Sequence, residues 1–228
     1  MIIMSEENSN EHSKKKGGLF ELIYKNNVVL ISLILLIALI FVNQFILMTS
    51  FAVAGTSDSK VILSDTDLYK SKGTIQSIAL LFPVKEIKTD ADAIKMMIPK
   101  GTPDYGEAMG VSFDDSKSLD KMARAYSAIK VELQKDPEKW KRYLNLATKP
   151  VGISCEFCCG VGPIGITSKG DISCGCSHNV AVQTLTMWLM KNTDYTDAQI
   201  TKEVLKWKTL WFPKNMVQLA KQAADALN

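Results

Sequence analysis

Residues 118–147 read SLDKMARAYSAIKVELQKDPEKWKRYLNLA, and their apolar spacing decides the fold class. Leu119, Met122, Ala123, Tyr126, Ile129 and Leu133 recur at three- and four-residue intervals, which places them on one face of an α-helix. Asp136-Pro137 then offers a capping side chain followed by proline at the first helical position, where its missing N–H removes no hydrogen bond. A second helix is expected through Trp140, Tyr143, Leu144 and Leu146.

The same signals recur on both sides. Thr89 to Met97 predicts a short helix capped by Thr89 or Asp90 and ended by Pro99. Residues 99–112 carry Pro99, Gly101, Pro103, Gly106 and Gly110, the composition of a long ordered loop. Ser177 is the expected N-cap of a helix from His178 to about Lys191. Thr196-x-x-Gln199 resembles a capping box opening a helix through Ile200, Val204, Leu205, Trp207 and Leu210. Pro213 breaks that helix, and residues 214–227 form a last amphipathic one. Residues 61–88 hold two apolar stretches, VIL and IQSIALLFPVKEI, which fit one strand and one helix; periodicity does not decide between these. The expectation is a mainly α domain over 61–228, with a Cys/Gly-rich loop inserted between helical layers.

Upstream, Val28 to Met48 (VVLISLILLIALIFVNQFILM) is a run of 21 residues without a charge. As a helix it spans a hydrocarbon core of about 30 Å. Lys14, Lys15, Lys16 and Lys25 precede it, and Lys60 is the first cation after it. This asymmetry predicts a single-pass protein of the cell membrane, with a cytoplasmic tail at 1–27, a transmembrane helix at 28–48, a linker at 49–60 and an extracytoplasmic domain beyond. Ala52-Val53-Ala54 also fits a signal-peptidase site, but the run exceeds the usual ~7–15 residues of a signal core. Anchor and cleaved signal both export the domain.

The net charge of +3 is weak and dispersed, which argues against a nucleic-acid partner, since that needs a concentrated basic face. The lipid bilayer, through 28–48, is the partner the sequence names. H-E-x-x-H, G-x-S-x-G, P-loop and dinucleotide fingerprints are all missing. Asp104, Glu107, Asp114 and Asp115 read as a solvated surface, and Met122, Met187 and Met190 as core.

All five cysteines fall between residues 155 and 176: Cys155-Glu-Phe-Cys158-Cys159, fourteen residues rich in glycine, then Cys174-Gly-Cys176-Ser-His178. Thiolates and an imidazole at these spacings suit zinc, Cu(I) or another soft metal, or a small iron–sulfur centre, because each pair bends round one ion. Cys155, Cys158, Cys174 and Cys176 are the expected ligands, with Cys159 and His178 in reserve. Six ligands exceed the four of a tetrahedral ion, so either one or two are spare or the site holds more than one metal atom. Two other readings stand beside this one. Export favours structural disulfides bracing a membrane-tethered interaction module, for which a cross-loop bridge such as Cys155 to Cys174 is feasible, while vicinal Cys158-Cys159 and Cys174-Gly-Cys176 are poor geometry for local bridges. An extracytoplasmic thiol–disulfide oxidoreductase would use Cys155 and Cys158, although no thioredoxin-like pattern follows them.

At Cys174-Gly-Cys176-Ser-His178-Asn179 the sequence resembles the bacterial membrane-attached proteins named for a PCYCGC motif. It is more similar to uncharacterised, membrane-anchored, cysteine-cluster proteins of archaeal type, through ISCEFCCG (153–160), CGCSHN (174–179), WKTLWFP (207–213) and PDYGEAMGVSFDD (103–115). Ile172-Ser173 replaces the Pro and Tyr of the PCYCGC pattern. The resemblance implies membrane attachment and an extracytoplasmic location, without an activity.

Overall fold

The computed structural model describes Ile31, residues 34–39 and residues 65–227. The chain divides into two units, Met1–Val61 and Ile62–Asn228. In the first, the described residues are helical, with exposed apolar side chains. The expected tail, most of the expected membrane run, the linker and the VIL stretch at 61–63 lie outside the described residues. No helix among the described residues is long and apolar enough to cross a membrane.

The second unit is mainly helical. Its elements are α1 (Asp65–Leu68), α2 (Thr74–Leu81), a 3-10 turn (Val84–Glu86), α3 (Asp90–Met97), α4 (Gly106–Met109), α5 (Ser118–Gln134), α6 (Pro137–Ala147), α7 (Ser177–Asn192), α8 (Asp197–Trp211) and α9 (Pro213–Asp225). Local chemistry sets most of these ends. Thr89 and Asp92 close a reciprocal capping box on α3, and Thr196 and Gln199 close another on α8. Asp136 accepts from the Lys139 amide, with Pro137 at the first position of α6. The expected loop at 99–112 contains the single turn α4, ended by Gly110 in the left-handed conformation. Ser177 does not cap α7. The helix begins one residue earlier than expected, and the cap is the sulfur of Cys176, which accepts from the Asn179 amide at 3.4 Å.

Helices α7 and α8 form the centre. Ala181, Val182, Leu185, Met187, Leu189 and Met190 of α7 are buried, as are its polar Gln183, Thr184 and Thr186. A helix buried on nearly all sides must satisfy its own polar groups, and the hydroxyls of Thr184 and Thr186 bond back to the carbonyls of Val180 and Val182. Helices α5 and α6 pack on α7, whereas α1, α2 and α9 pack on α8; α9 also covers α2 and α3. Trp207 is buried with its Nε1 donating to the Tyr105 hydroxyl, which donates to Glu203. No strand occurs among the described residues. Residues 151–176 instead form a loop held by isolated bridges, Ile153 to Ile164, Glu156 to Gly162 and Ile166 to Ile172.

Candidate metal centre

The cysteine loop is held down at its backbone carbonyls by side chains from the helices beneath it. Gln183 Nε2 donates to Ile153 O at 2.9 Å, while its Oε1 accepts from the buried Tyr143 hydroxyl. Asn179 Nδ2 donates to both Gly165 O and Cys174 O, at 2.9 and 3.0 Å. Lys130 reaches Gly170 O, and Lys208 reaches Gly152 O at 2.9 Å. These bonds satisfy buried loop carbonyls, Gly165 O accepting from the Ser173 amide as well. Glycine is needed where the loop presses on these helices. A Cβ on Gly165 would stand 2.2 Å from Asn179 Oδ1 and 2.6 Å from Gln183 Nε2.

One of these anchors carries charge into the interior. Lys208 is fully buried, and its Nζ lies 2.7 Å from Glu156 Oε2, which also accepts from the Thr74 hydroxyl at 2.6 Å. Burial pulls the Lys208 ammonium below the usual lysine range, and the Glu156 carboxylate pulls it back up. Glu156 adopts the left-handed conformation with φ of 62°, unusual for a residue with a side chain. Its conformation turns the chain between Cys155 and Cys158 and aims the carboxylate at Lys208.

On this platform all six expected ligands converge. The sulfurs of Cys155, Cys159, Cys174 and Cys176 lie within 4.8 Å of one another; those of Cys158 and Cys176 and a ring nitrogen of His178 form a second such group. Cys176 belongs to both. Cys155 and Cys174 are buried, Cys176 and His178 half-buried, and Cys158 and Cys159 exposed. Cys159 and Cys174 are joined as a disulfide, with Cα atoms 6.5 Å apart, and the other three cysteines are free. The cross-loop bridge suggested by the sequence therefore exists, but its partner for Cys174 is Cys159 and not Cys155. Cys159, held in reserve on the sequence alone, sits inside the four-sulfur group.

Two further spacings fit hydrogen bonds and come near those of ligands round an ion. With metal–sulfur bonds of about 2.3 Å, tetrahedral geometry puts sulfurs about 3.8 Å apart, and sulfur and nitrogen about 3.6 Å. Cys155 Sγ and Cys176 Sγ are 3.4 Å apart, and Cys158 Sγ and His178 Nδ1 are 3.6 Å apart. Amides point at two of the sulfurs: Asn179 N–H at Cys176 and Cys158 N–H at Cys155. Such donors, and the α7 N-terminus behind Cys176, favour thiolate. Burial, with Cys176 beside it, nevertheless pushes the Cys155 thiol up to about 11, and burial raises Cys158 as well. Both are therefore poor free nucleophiles, whereas a coordinated cation would displace their protons outright. His178 moves the other way. Burial lowers its pKa and keeps the imidazole neutral, the form that binds metal.

The ring of His178 lies 5.4 Å from that of Trp211 and 4.9 Å from that of Phe212, and Phe157 packs on Phe212. Trp211 and Phe212 thus wall the imidazole. Met122, Met187 and Met190 are buried in the core, as expected. Asp114 and Asp115 serve the loop, Asp114 accepting from the Gly101 amide and Asp115 pairing with Lys121. Sequence reasoning missed Lys208, Glu156, Asn179 and Gln183. No family model, curated protein or solved structure matches the chain.

Proposed function

We propose that this chain is a bilayer-anchored protein whose extracytoplasmic helical domain binds a soft or borderline metal, zinc foremost, through the cysteine loop. One observation carries the metal reading: four sulfurs within 4.8 Å of one another, from two loop segments and a helix N-terminus. That donor set suits zinc, Cu(I) or an iron–sulfur centre. Anchoring and location rest on the uncharged run at 28–48 and the lysines before it, and on the likeness to membrane-anchored cysteine-cluster proteins at ISCEFCCG and CGCSHN. The Cys159–Cys174 bridge and metal are alternatives. A thiol reductant must deliver two electrons and two protons to the bridge before both sulfurs can ligate.

That bridge also favours a second reading, thiol–disulfide exchange with a dithiol partner, in which Cys159 and Cys174 cycle between disulfide and two thiols. The exchanging pair is then not Cys155 and Cys158. Full-length chain purified in detergent without oxygen separates the two readings. Metal binding predicts stoichiometric metal by elemental analysis, with all five thiols titratable after chelation. Absence of metal, together with a Cys159–Cys174 bridge that forms and opens at the potential of a dithiol couple, would overturn the metal reading.

A further inference from the structure

We infer that the loop holds two metal ions joined by the sulfur of Cys176: a closed inner site and an open, exchangeable outer one. This rests on the metal reading above. The inner site is the four-sulfur group, with Cys155 and Cys174 buried, Cys176 half-buried and Cys159 exposed. Four thiolates complete a tetrahedral shell and leave no position for another ligand. The outer site has three ligands, Cys158, Cys176 and His178, and Cys158 is exposed. Three protein ligands on a four-coordinate ion leave one position for water or a small soft anion such as a free thiolate.

Three observations set the outer group apart from a surplus of donors. The Cys158 to His178 separation of 3.6 Å matches ligand spacing round a shared ion. The His178 ring is held against Trp211 and Phe212, at 5.4 and 4.9 Å between centroids, so its place beside the exposed Cys158 is fixed by packing. Cys176 caps α7 and is common to both groups, so its sulfur faces two ligand sets at once from a rigid helix end. With bonds of about 2.3 Å to a common sulfur, the two ions stand at most about 4.6 Å apart.

Two buried sulfurs and a filled shell at the inner site, against no buried ligand and an open position at the outer one, assign different behaviour to the two ions. The inner one exchanges only when the loop opens. The outer one exchanges with solvent and is the one presented to an incoming ligand or a receiving thiol.

The test is a cobalt(II) titration of the reduced full-length chain in detergent, without oxygen, read by absorption and electron spin resonance. The wild type takes two equivalents, and the spin signal of the first falls when the second binds, because the shared thiolate couples the ions. The Cys158→Ser/His178→Asn variant, altered at one exposed and one half-buried position, keeps its helical circular dichroism and stops at one uncoupled equivalent. A chelator strips the second equivalent from wild type much faster than the first. One equivalent in both proteins, with a tetrathiolate spectrum, overturns the two-ion inference and leaves the metal reading intact. Two uncoupled equivalents overturn the shared sulfur, and a single equivalent lost in the variant overturns the inner site. No binding at all overturns the metal reading itself.

Discussion

Replacing Glu156 by Gln removes one negative charge from beneath the cysteine loop and leaves the Lys208 ammonium buried without a counter-charge. The lysine is fully buried, with its Nζ 2.7 Å from the carboxylate and 2.9 Å from Gly152 O. Breaking a buried pair on one side costs about 3–5 kcal/mol, and Gln keeps an acceptor in place, so a loss of about 2–4 kcal/mol at pH 7 is expected. The loss has a ceiling. Lysine can shed its proton instead, which at pH 7 costs about 4.6 kcal/mol, or ~3.4 units below its reference value at ~1.36 kcal/mol per unit. For a domain of this size the shift in Tm is roughly 5–15 °C.

The ceiling supplies a signature that lost packing would not produce. In the variant the lost counter-charge lowers the folded-state pKa of Lys208 further below its unfolded value, so once the pH passes that folded pKa the unfolded state binds one more proton. Stability then rises with pH, by about 1.4 kcal/mol per unit. In the wild type Glu156 supports the charged form and the dependence is flatter. Urea unfolding of the full-length protein, followed by circular dichroism between about pH 6 and pH 9, should therefore show the deficit shrinking as pH rises. Adding Lys208→Met should abolish that slope. A deficit of under about 1 kcal/mol, or one equal at every pH, would refute a buried charge pair as the loop's anchor.

Gly165→Ala should lower stability by more than about 1 kcal/mol and loosen the loop, because its Cβ meets Asn179 and Gln183 head-on; the check is urea unfolding with amide exchange of residues 151–176. In oxidised protein Cys159→Ser and Cys174→Ser should cost the same, about 3 kcal/mol for a bridge of 15-residue separation, and neither should matter through the bridge once reductant is present; a cost for only one would contradict the pairing. Burial raises the pKa of Tyr105 and Tyr143, so their folded state keeps protons that the unfolded state releases, and stability falls as pH rises beyond about 10. Their phenolate absorbance should therefore appear only together with loss of helical dichroism. Chelation of metal-loaded protein should raise amide exchange in 151–176 while α7 and α8 keep their protection; melting of both helices would show the metal to be a staple of the core.

Much of the architecture was legible because helix ends are written locally. Thr89, Asp136 and Thr196 each cap a helix with their own side chain within three residues, so a sequence window contains both partners. The cap of α7 was misplaced for a related reason. Serine is the better capping residue by type, but the loop delivers the chain to the helix one residue earlier and leaves Ser177 in its first turn. That the five cysteines and His178 converge was also legible, from the density of Cys and His alone. Their grouping was not. C-x-x-C spacing suggests that Cys155 and Cys158 serve one ion, yet Cys159 is the residue brought to Cys174 across the loop. Lys208 was hidden by composition, since a lysine reads as solvent-facing. Its only trace is position: it stands four residues after Val204, on the buried stripe of α8.

The helical core and the cysteine loop place different demands on a metal. Small metal domains that need an ion to fold have little else to bury, so binding free energy is their folding free energy. Here α7 and α8 are buried by neighbours on both sides, and the caps of α3, α6 and α8 are satisfied by protein side chains. The loop itself is tied to that core by Asn179, Gln183, Lys130 and Lys208 through backbone carbonyls, independently of any sulfur. An ion is thus not required to hold the helices together. A scaffold that fixes soft ligands without depending on their ion can lose and regain it while folded. That property fits the proposed exchangeable metal better than a purely bracing one, and the exposed Cys158, beside Cys176 and His178, is where the proposed outer ion would meet solvent.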